Sequence, residues 1–125
     1  MTHKILIADD EPNIVISLEY LLQREGFEVL IARDGNEALA MAQRERPALL
    51  VLDVMMPGMT GFDVCQALRA DPAMNPMPIL LLSAKGRDTD AAKGLGLGAN
   101  AYMTKPFSTR ELVARVRSLL AGESA

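Results

Sequence analysis

Five short runs, "KILIA", "FEVLIA", "ALLVL", "PILLL" and "AYM", divide the chain, and each is followed by a stretch with helical character. Strand and helix in regular turn imply a parallel sheet, because parallel neighbours need a crossover connection that a helix supplies. The runs are nearly continuous in apolar residues rather than alternating, the pattern of strands covered by helices on both faces. A chain of 125 residues, 50% of them hydrophobic, can bury one such core and has no room for a second. The expected architecture is α/β, a doubly wound (βα)5 unit around a five-stranded parallel sheet.

The helical segments carry their own punctuation. In "DEPNIVISLEYLLQREG", Pro12 suits a first helical turn, Ile14, Leu18, Leu21 and Leu22 form one stripe, and Gly26 can close the helix in the left-handed conformation. A second segment, around Asn36 to Arg46, stops at Pro47. The last, "STRELVARVRSLL", opens with Ser108 and Glu111 at capping-box spacing, and Leu112, Val113, Val116, Leu119 and Leu120 make its buried face. Gly94 and Gly96 in "KGLGLGAN" predict a short or mobile fourth helix, each costing about 1 kcal/mol relative to alanine in a helix interior.

Composition removes several classes of function. The formal charge is −3, and Lys and Arg are scattered among acids, so no basic stripe awaits nucleic acid. The apolar stretch at the N-terminus is too short for a signal peptide and no run reaches membrane-spanning length, which points to a soluble cytosolic protein. Cys65 has no partner cysteine and shares a helix face with Phe62 and Leu68, as a buried, unreactive thiol would. His3 is the only histidine, so Ser-His-Asp and Cys-His schemes lack their base and zinc lacks its usual ligands.

What remains is a set of polar residues at the ends of the apolar runs. Open parallel sheets bind ligands beyond the carboxyl ends of their strands, where strand order reverses. Strand one ends in Asp9 and Asp10, strand three in Asp53, strand four in Ser83, and strand five leads into Thr104 and Lys105. Each has an ordinary explanation alone. Asp9 or Asp10 can cap the following helix, Asp53 can start the turn at Pro57-Gly58, Ser83 can be a post-strand hydroxyl, and Lys105 a solvated cation. Their joint placement is what indicates function.

Three carboxylates at one edge repel one another unless a cation neutralises them. All-oxygen ligands favour a hard ion, Mg²⁺ first and Mn²⁺ as a substitute. An ionised carboxylate needs no general base to attack phosphorus, so Asp53 can form an aspartyl-phosphate directly. Lys105 would offset charge on one phosphoryl oxygen and Ser83 would hydrogen-bond another.

At this point the residues resemble a known family. The acidic pair "DD", "LDVMMPGMTG", "LLLSAK" and "AYMTKPF", in this order from about Lys4 to Leu120, are similar to the motifs of receiver domains of bacterial two-component response regulators, the CheY-like superfamily. The resemblance implies a flavodoxin-like sheet in order 2-1-3-4-5, with residues 1–121 as the receiver and 122–125 as a tail or the start of a linker. It implies Asp53 as phosphoacceptor, with Mg²⁺ held by Asp10, Asp53, the main-chain carbonyl of Met55 and, directly or through water, Asp9. Lys105 would contact the phosphoryl group, Ser83 and Tyr102 would be the switch pair, and Met55, Ala84 and Lys85 would tune dephosphorylation. The Lys105–Pro106 peptide is a cis candidate. The implied donor is a sensor histidine kinase or histidine phosphotransfer protein, and the implied output surface is helix four, strand five and helix five, acting on an unidentified protein or domain. The domain is expected as a monomer or a weak, phosphorylation-promoted dimer. Relatives coupled to DNA-binding domains commonly carry acids before the strand-five aromatic, where this chain has Asn100 and Ala101, which counts against their charge-paired dimer.

Three rival readings stand beside this one. A flavodoxin-like FMN carrier would need a Ser-, Thr- and Gly-rich loop where the chain reads "DDEPN". A haloacid-dehalogenase-type phosphohydrolase would need a second aspartate where Met55 stands. A degenerate receiver that signals by binding alone would not need Asp10, Asp53, Ser83 and Lys105 together.

Overall fold

The computed structural model describes residues 3–84 and 88–122. Strands β1 (Lys4–Ala8), β2 (Glu28–Ala32), β3 (Leu49–Asp53), β4 (Ile79–Ala84) and β5 (Ala101–Lys105) alternate with helices α1 (Pro12–Arg24), α2 (Gly35–Glu45), α3 (Gly61–Ala70), α4 (Asp88–Gly96) and α5 (Thr109–Leu120). The sheet is parallel throughout, in the order β2-β1-β3-β4-β5. Strand order therefore reverses between β1 and β3, and the chain ends of those two strands open onto one crevice.

Continuous apolar runs arise because successive residues serve opposite cores. Leu6, Leu50, Leu52 and Leu81 pack against α2 and α3 with Ala38, Phe62, Cys65 and Leu68. Ile5, Ile7, Leu49, Val51 and Leu80 pack against α1 and α5 with Leu18, Leu22, Leu112, Val116 and Leu119. Every residue of β3 from Leu49 to Leu52 is fully buried, and burying each such side chain stabilises the fold by about 1.5–3 kcal/mol.

Local chemistry sets the helix limits. Pro12 occupies the first turn of α1. The N-cap is Glu11, with no side-chain bond, so neither Asp9 nor Asp10 is spent as the cap. Beyond α1, Gly26 takes φ +91°, and its N–H and that of Phe27 donate to the Gln23 and Leu22 carbonyls, which satisfies acceptors the helix would leave bare. The α3 start has a complete capping box, Thr60 accepting from the Asp63 N–H at 3.2 Å and Asp63 from the Thr60 N–H at 3.1 Å. At α5 only one arm of the expected box forms: Ser108 accepts from the Glu111 N–H at 3.3 Å, while the exposed Glu111 side chain stays out of the cap.

Helix α4 is short, as its glycines predict. Gly94 has a packing role as well, since a Cβ there would stand 2.2 Å from the Leu81 Cδ1. At the opposite, amino edge of the sheet, Arg69 donates to the Gly98 carbonyl (2.8 Å), the Asn75 carbonyl (2.7 Å) and Asn100 Oδ1 (2.7 Å). Asn100 Oδ1 also accepts from the Ile79 N–H at 2.9 Å. Among the described residues no helix is long and apolar enough to cross a membrane.

Candidate functional site: an acidic cluster with a shared lysine

The sheet carries Asp9, Asp10, Asp53 and Lys105 to one place. Asp9 follows β1 directly and is fully buried, Asp53 ends β3 and is 6% exposed, and Asp10 is open to solvent. A carboxylate oxygen from each of the three lies within 4.8 Å of the others. Lys105 reaches in from the end of β5, its Nζ 2.9 Å from Asp9 Oδ2, 3.3 Å from Asp53 Oδ1 and 3.9 Å from Glu11 Oε1.

Main-chain contacts fix the end of β3. The Val54 N–H donates to the Leu82 carbonyl at 2.9 Å, and the Gly61 N–H donates to the Val54 carbonyl at 2.8 Å. A Cβ on Gly61 would stand 2.4 Å from the Asp53 carbonyl oxygen, so only glycine lets α3 begin this close to the acid. This positioning role escapes the sequence because it depends on two segments meeting in space.

Burial and neighbours decide the charges. Loss of solvation, reinforced by the Asp9 charge, pushes the Asp53 carboxyl up to about 6, against the pull of Lys105. At pH 7 the ionised form still leads by about ten to one. Burial works to lower the Lys105 pKa, but the Asp9 and Asp53 carboxylates outweigh it and hold the ammonium above its usual value. Asp9 Oδ1 accepts from the Glu11 N–H at 2.9 Å. Asp9 Oδ2 pairs with Lys105 by charge, yet among the described residues this buried oxygen has no donor in hydrogen-bonding alignment. A buried carboxylate oxygen without an aligned donor, among three hard oxygen ligands and one lysine, fits a small divalent cation such as Mg²⁺.

The other predicted residues fall around this cluster. Ser83 is 1% exposed and pairs in register with Thr104. Its hydroxyl donates to Asp90 Oδ2 of α4 at 2.7 Å, a buried partner the sequence analysis missed. Tyr102 is half-buried, packs against the core on the α2/α3 face, and has its hydroxyl 3.5 Å from Thr104 Oγ1. Met55 is 55% exposed beyond β3, and Ala84 is exposed at the end of β4. Lys85 lies outside the described residues. The Lys105–Pro106 peptide is cis, as the resemblance implies. Cys65 is buried, with burial raising its thiol pKa despite nearby Arg69, and His3 is exposed.

Comparison with known proteins agrees with this arrangement. The response regulator receiver domain family matches residues 5–117. The alkaline phosphatase synthesis transcriptional regulatory protein PhoP of Bacillus subtilis (strain 168) is 52% identical over 120 residues, covering 96% of this chain and 49% of that protein. The chain thus spans about half the length of that relative. A crystal structure from Chloroflexus aurantiacus J-10-fl superposes with a TM-score of 0.93 at 39% identity, covering 97% of this chain and 99% of the other. The chemotaxis response regulator CheY4 of Vibrio cholerae superposes with a TM-score of 0.89 at 34% identity, over 95% of this chain and 99% of that one. With an acidic crevice at the switch point of a 2-1-3-4-5 sheet and a family match over residues 5–117, the chain belongs to the receiver domains of two-component response regulators.

Proposed function

We propose that Asp53 is the phosphoacceptor of a cytosolic phosphorelay, charged by a phosphohistidine on a sensor histidine kinase or a histidine phosphotransfer protein. The observation that carries this is the buried Asp53 carboxylate sharing one ammonium, that of Lys105, with Asp9. An Asp53 oxygen forms the new P–O bond, the P–N bond to the donor imidazole breaks, and its electron pair stays on the imidazole nitrogen. Lys105 turns from the Asp53 carboxylate to the incoming phosphoryl oxygens, where negative charge now concentrates. Ser83 donates to a second phosphoryl oxygen, and Tyr102 follows it inward. Asp10, Asp53, the Met55 carbonyl and, directly or through water, Asp9 would hold Mg²⁺, or Mn²⁺ in its place, and the bound ion would supply positive charge that offsets the acids and the developing phosphoryl charge.

The chain in this way assists its own modification and is a signalling domain rather than an enzyme acting on a separate substrate. Met55 and Ala84, with Lys85 next to Ala84 in the sequence, tune the access of the water that later removes the group. The receiver occupies residues 1–121, and the surface of α4, β5 and α5 signals to an output protein or domain. The relation to a transcriptional regulatory protein favours gene expression as the response, while the chain itself has no basic stripe for nucleic acid.

Intact mass after incubation with acetyl phosphate tests the assignment. Wild type should gain one phosphoryl group only with Mg²⁺, and Asp53→Asn should gain none. Uptake that survives in Asp53→Asn would move the acceptor elsewhere. No uptake from acetyl phosphate or from a phosphohistidine protein would leave a receiver that signals by binding alone.

A further inference from the structure

Asp90 has no part in phosphoacceptance as derived above, yet it is 4% exposed and lies in the first turn of α4. Its Oδ2 accepts from the Ser83 hydroxyl at 2.7 Å, the usual length of an O–H···O bond. A helix's first turn favours a carboxylate, because its N–H groups and the helix dipole both present positive charge there. Asp90 is therefore a well-placed acceptor that holds Ser83 from the α4 side of the sheet.

A serine hydroxyl has one proton to donate. Phosphoryl oxygens on an aspartyl-phosphate are acceptors, as is the Asp90 carboxylate. Ser83 can donate to one or the other, never to both at once. Donation to the phosphoryl group removes this hydrogen bond from a carboxylate that water scarcely reaches, which weakens the tie between β4 and the first turn of α4.

We propose that Asp90 is the positioning residue that holds the Ser83 hydroxyl in the unphosphorylated protein, an inference that rests on Asp53 being the phosphoacceptor. Passage of the hydroxyl from Asp90 to the phosphoryl group releases the first turn of α4. The coupling between acceptor and helix is this competition for one proton.

Beryllofluoride with Mg²⁺, a phosphoryl mimic, provides the probe, with affinity read by calorimetry. In Asp90→Asn the amide can donate to Ser83 Oγ and leave the hydroxyl proton free. That variant should bind beryllofluoride about tenfold more tightly than wild type, a shift equivalent to about 1.4 kcal/mol. In a Ser83→Ala background the same change should have no effect, which a merely structural role for Asp90 would not produce. Equal or weaker binding by Asp90→Asn, or equal tightening without the hydroxyl, would overturn the inference. Wild type that takes a phosphoryl group while Asp90→Asn binds no better sinks this inference alone. Wild type that neither binds beryllofluoride nor gains phosphoryl mass sinks the acceptor assignment, and this inference with it. Should Asp90→Asn lose its cooperative melt, amide exchange on wild type decides instead. Beryllofluoride should speed exchange at Gly94, whose helical acceptor is the Asp90 carbonyl, and unchanged or slower exchange would refute the release of α4.

Discussion

The Asp53 side of the crevice and the Ser83 side are built differently. Around Asp53, main-chain bonds and the Gly61 contact hold the strand end in one position. Around Ser83, a side-chain hydrogen bond to a short helix and a half-buried tyrosine carry the structure. Backbone packed on backbone can hardly shift, whereas a side-chain bond can exchange partners at modest cost. The proposed function uses both: a fixed carboxylate to take the phosphoryl group, and a neighbour free to change its hydrogen-bond partner.

The largest test of the fixed side removes its cation. Lys105→Met leaves Asp9 and Asp53 buried beside each other without compensation, and at pH 7 without Mg²⁺ it should lower unfolding free energy by about 4 kcal/mol. Added Mg²⁺ should restore a large part of this. Urea melts with and without the ion provide the measurement, and an unchanged midpoint would mean that the acids are not clamped by charge.

Next in size is the pH dependence of Asp53. Its folded pKa, about 6, exceeds the usual carboxyl value of 3.8, so the native state holds the extra proton between those values. Ionising Asp53 therefore costs native stability as pH rises from about 4 to about 6, by about 3 kcal/mol in total, with no further change above. Asp10, Asp9 and Lys105 face the same group, so the comparison is with Asp53→Asn. The stability advantage of the asparagine variant over wild type should grow across that window and then stay level. An advantage that shrinks with rising pH would reverse the sign argued here.

A pair of glycine substitutions compares the two sides directly. Gly61→Ala drives a methyl into the Asp53 carbonyl, which is backbone, and should cost about 2 kcal/mol and slow phosphoryl uptake. Gly94→Ala meets the far end of the Leu81 side chain, which can turn aside, and should cost about 1 kcal/mol. Equal costs in denaturant melts would erase the distinction between the sides.

The sheet was legible in the sequence because burial on both faces writes itself as unbroken apolar runs, as in Leu49 to Leu52. The acids were legible for a related reason: a charge such as Asp53 directly after such a run must lie where the strand leaves the core. Capping was half legible, since Ser108 and Glu111 have the right spacing but only the serine arm forms. The complete box at Thr60 and Asp63 passed unnoticed beside the stronger turn signal of Pro57-Gly58. Gly61 and Asp90 were silent because their roles depend on distance through space. Gly94 looked like a helix defect until Leu81 stood beside it.

Arg69 holds the far end of the Ser83 side. By gripping the Gly98 carbonyl and Asn100, it anchors the trailing end of α4 to α3 at the edge of the sheet far from the acids. Asp90 lies eight residues before Gly98 in sequence, about 12 Å along a helix. Were the Ser83 bond released as proposed, a bar pinned near Gly98 and freed at Asp90 would pivot, its tip swinging while its trailing end stays in place. The guanidinium would be the pivot of that motion, at the end of the sheet remote from the acids.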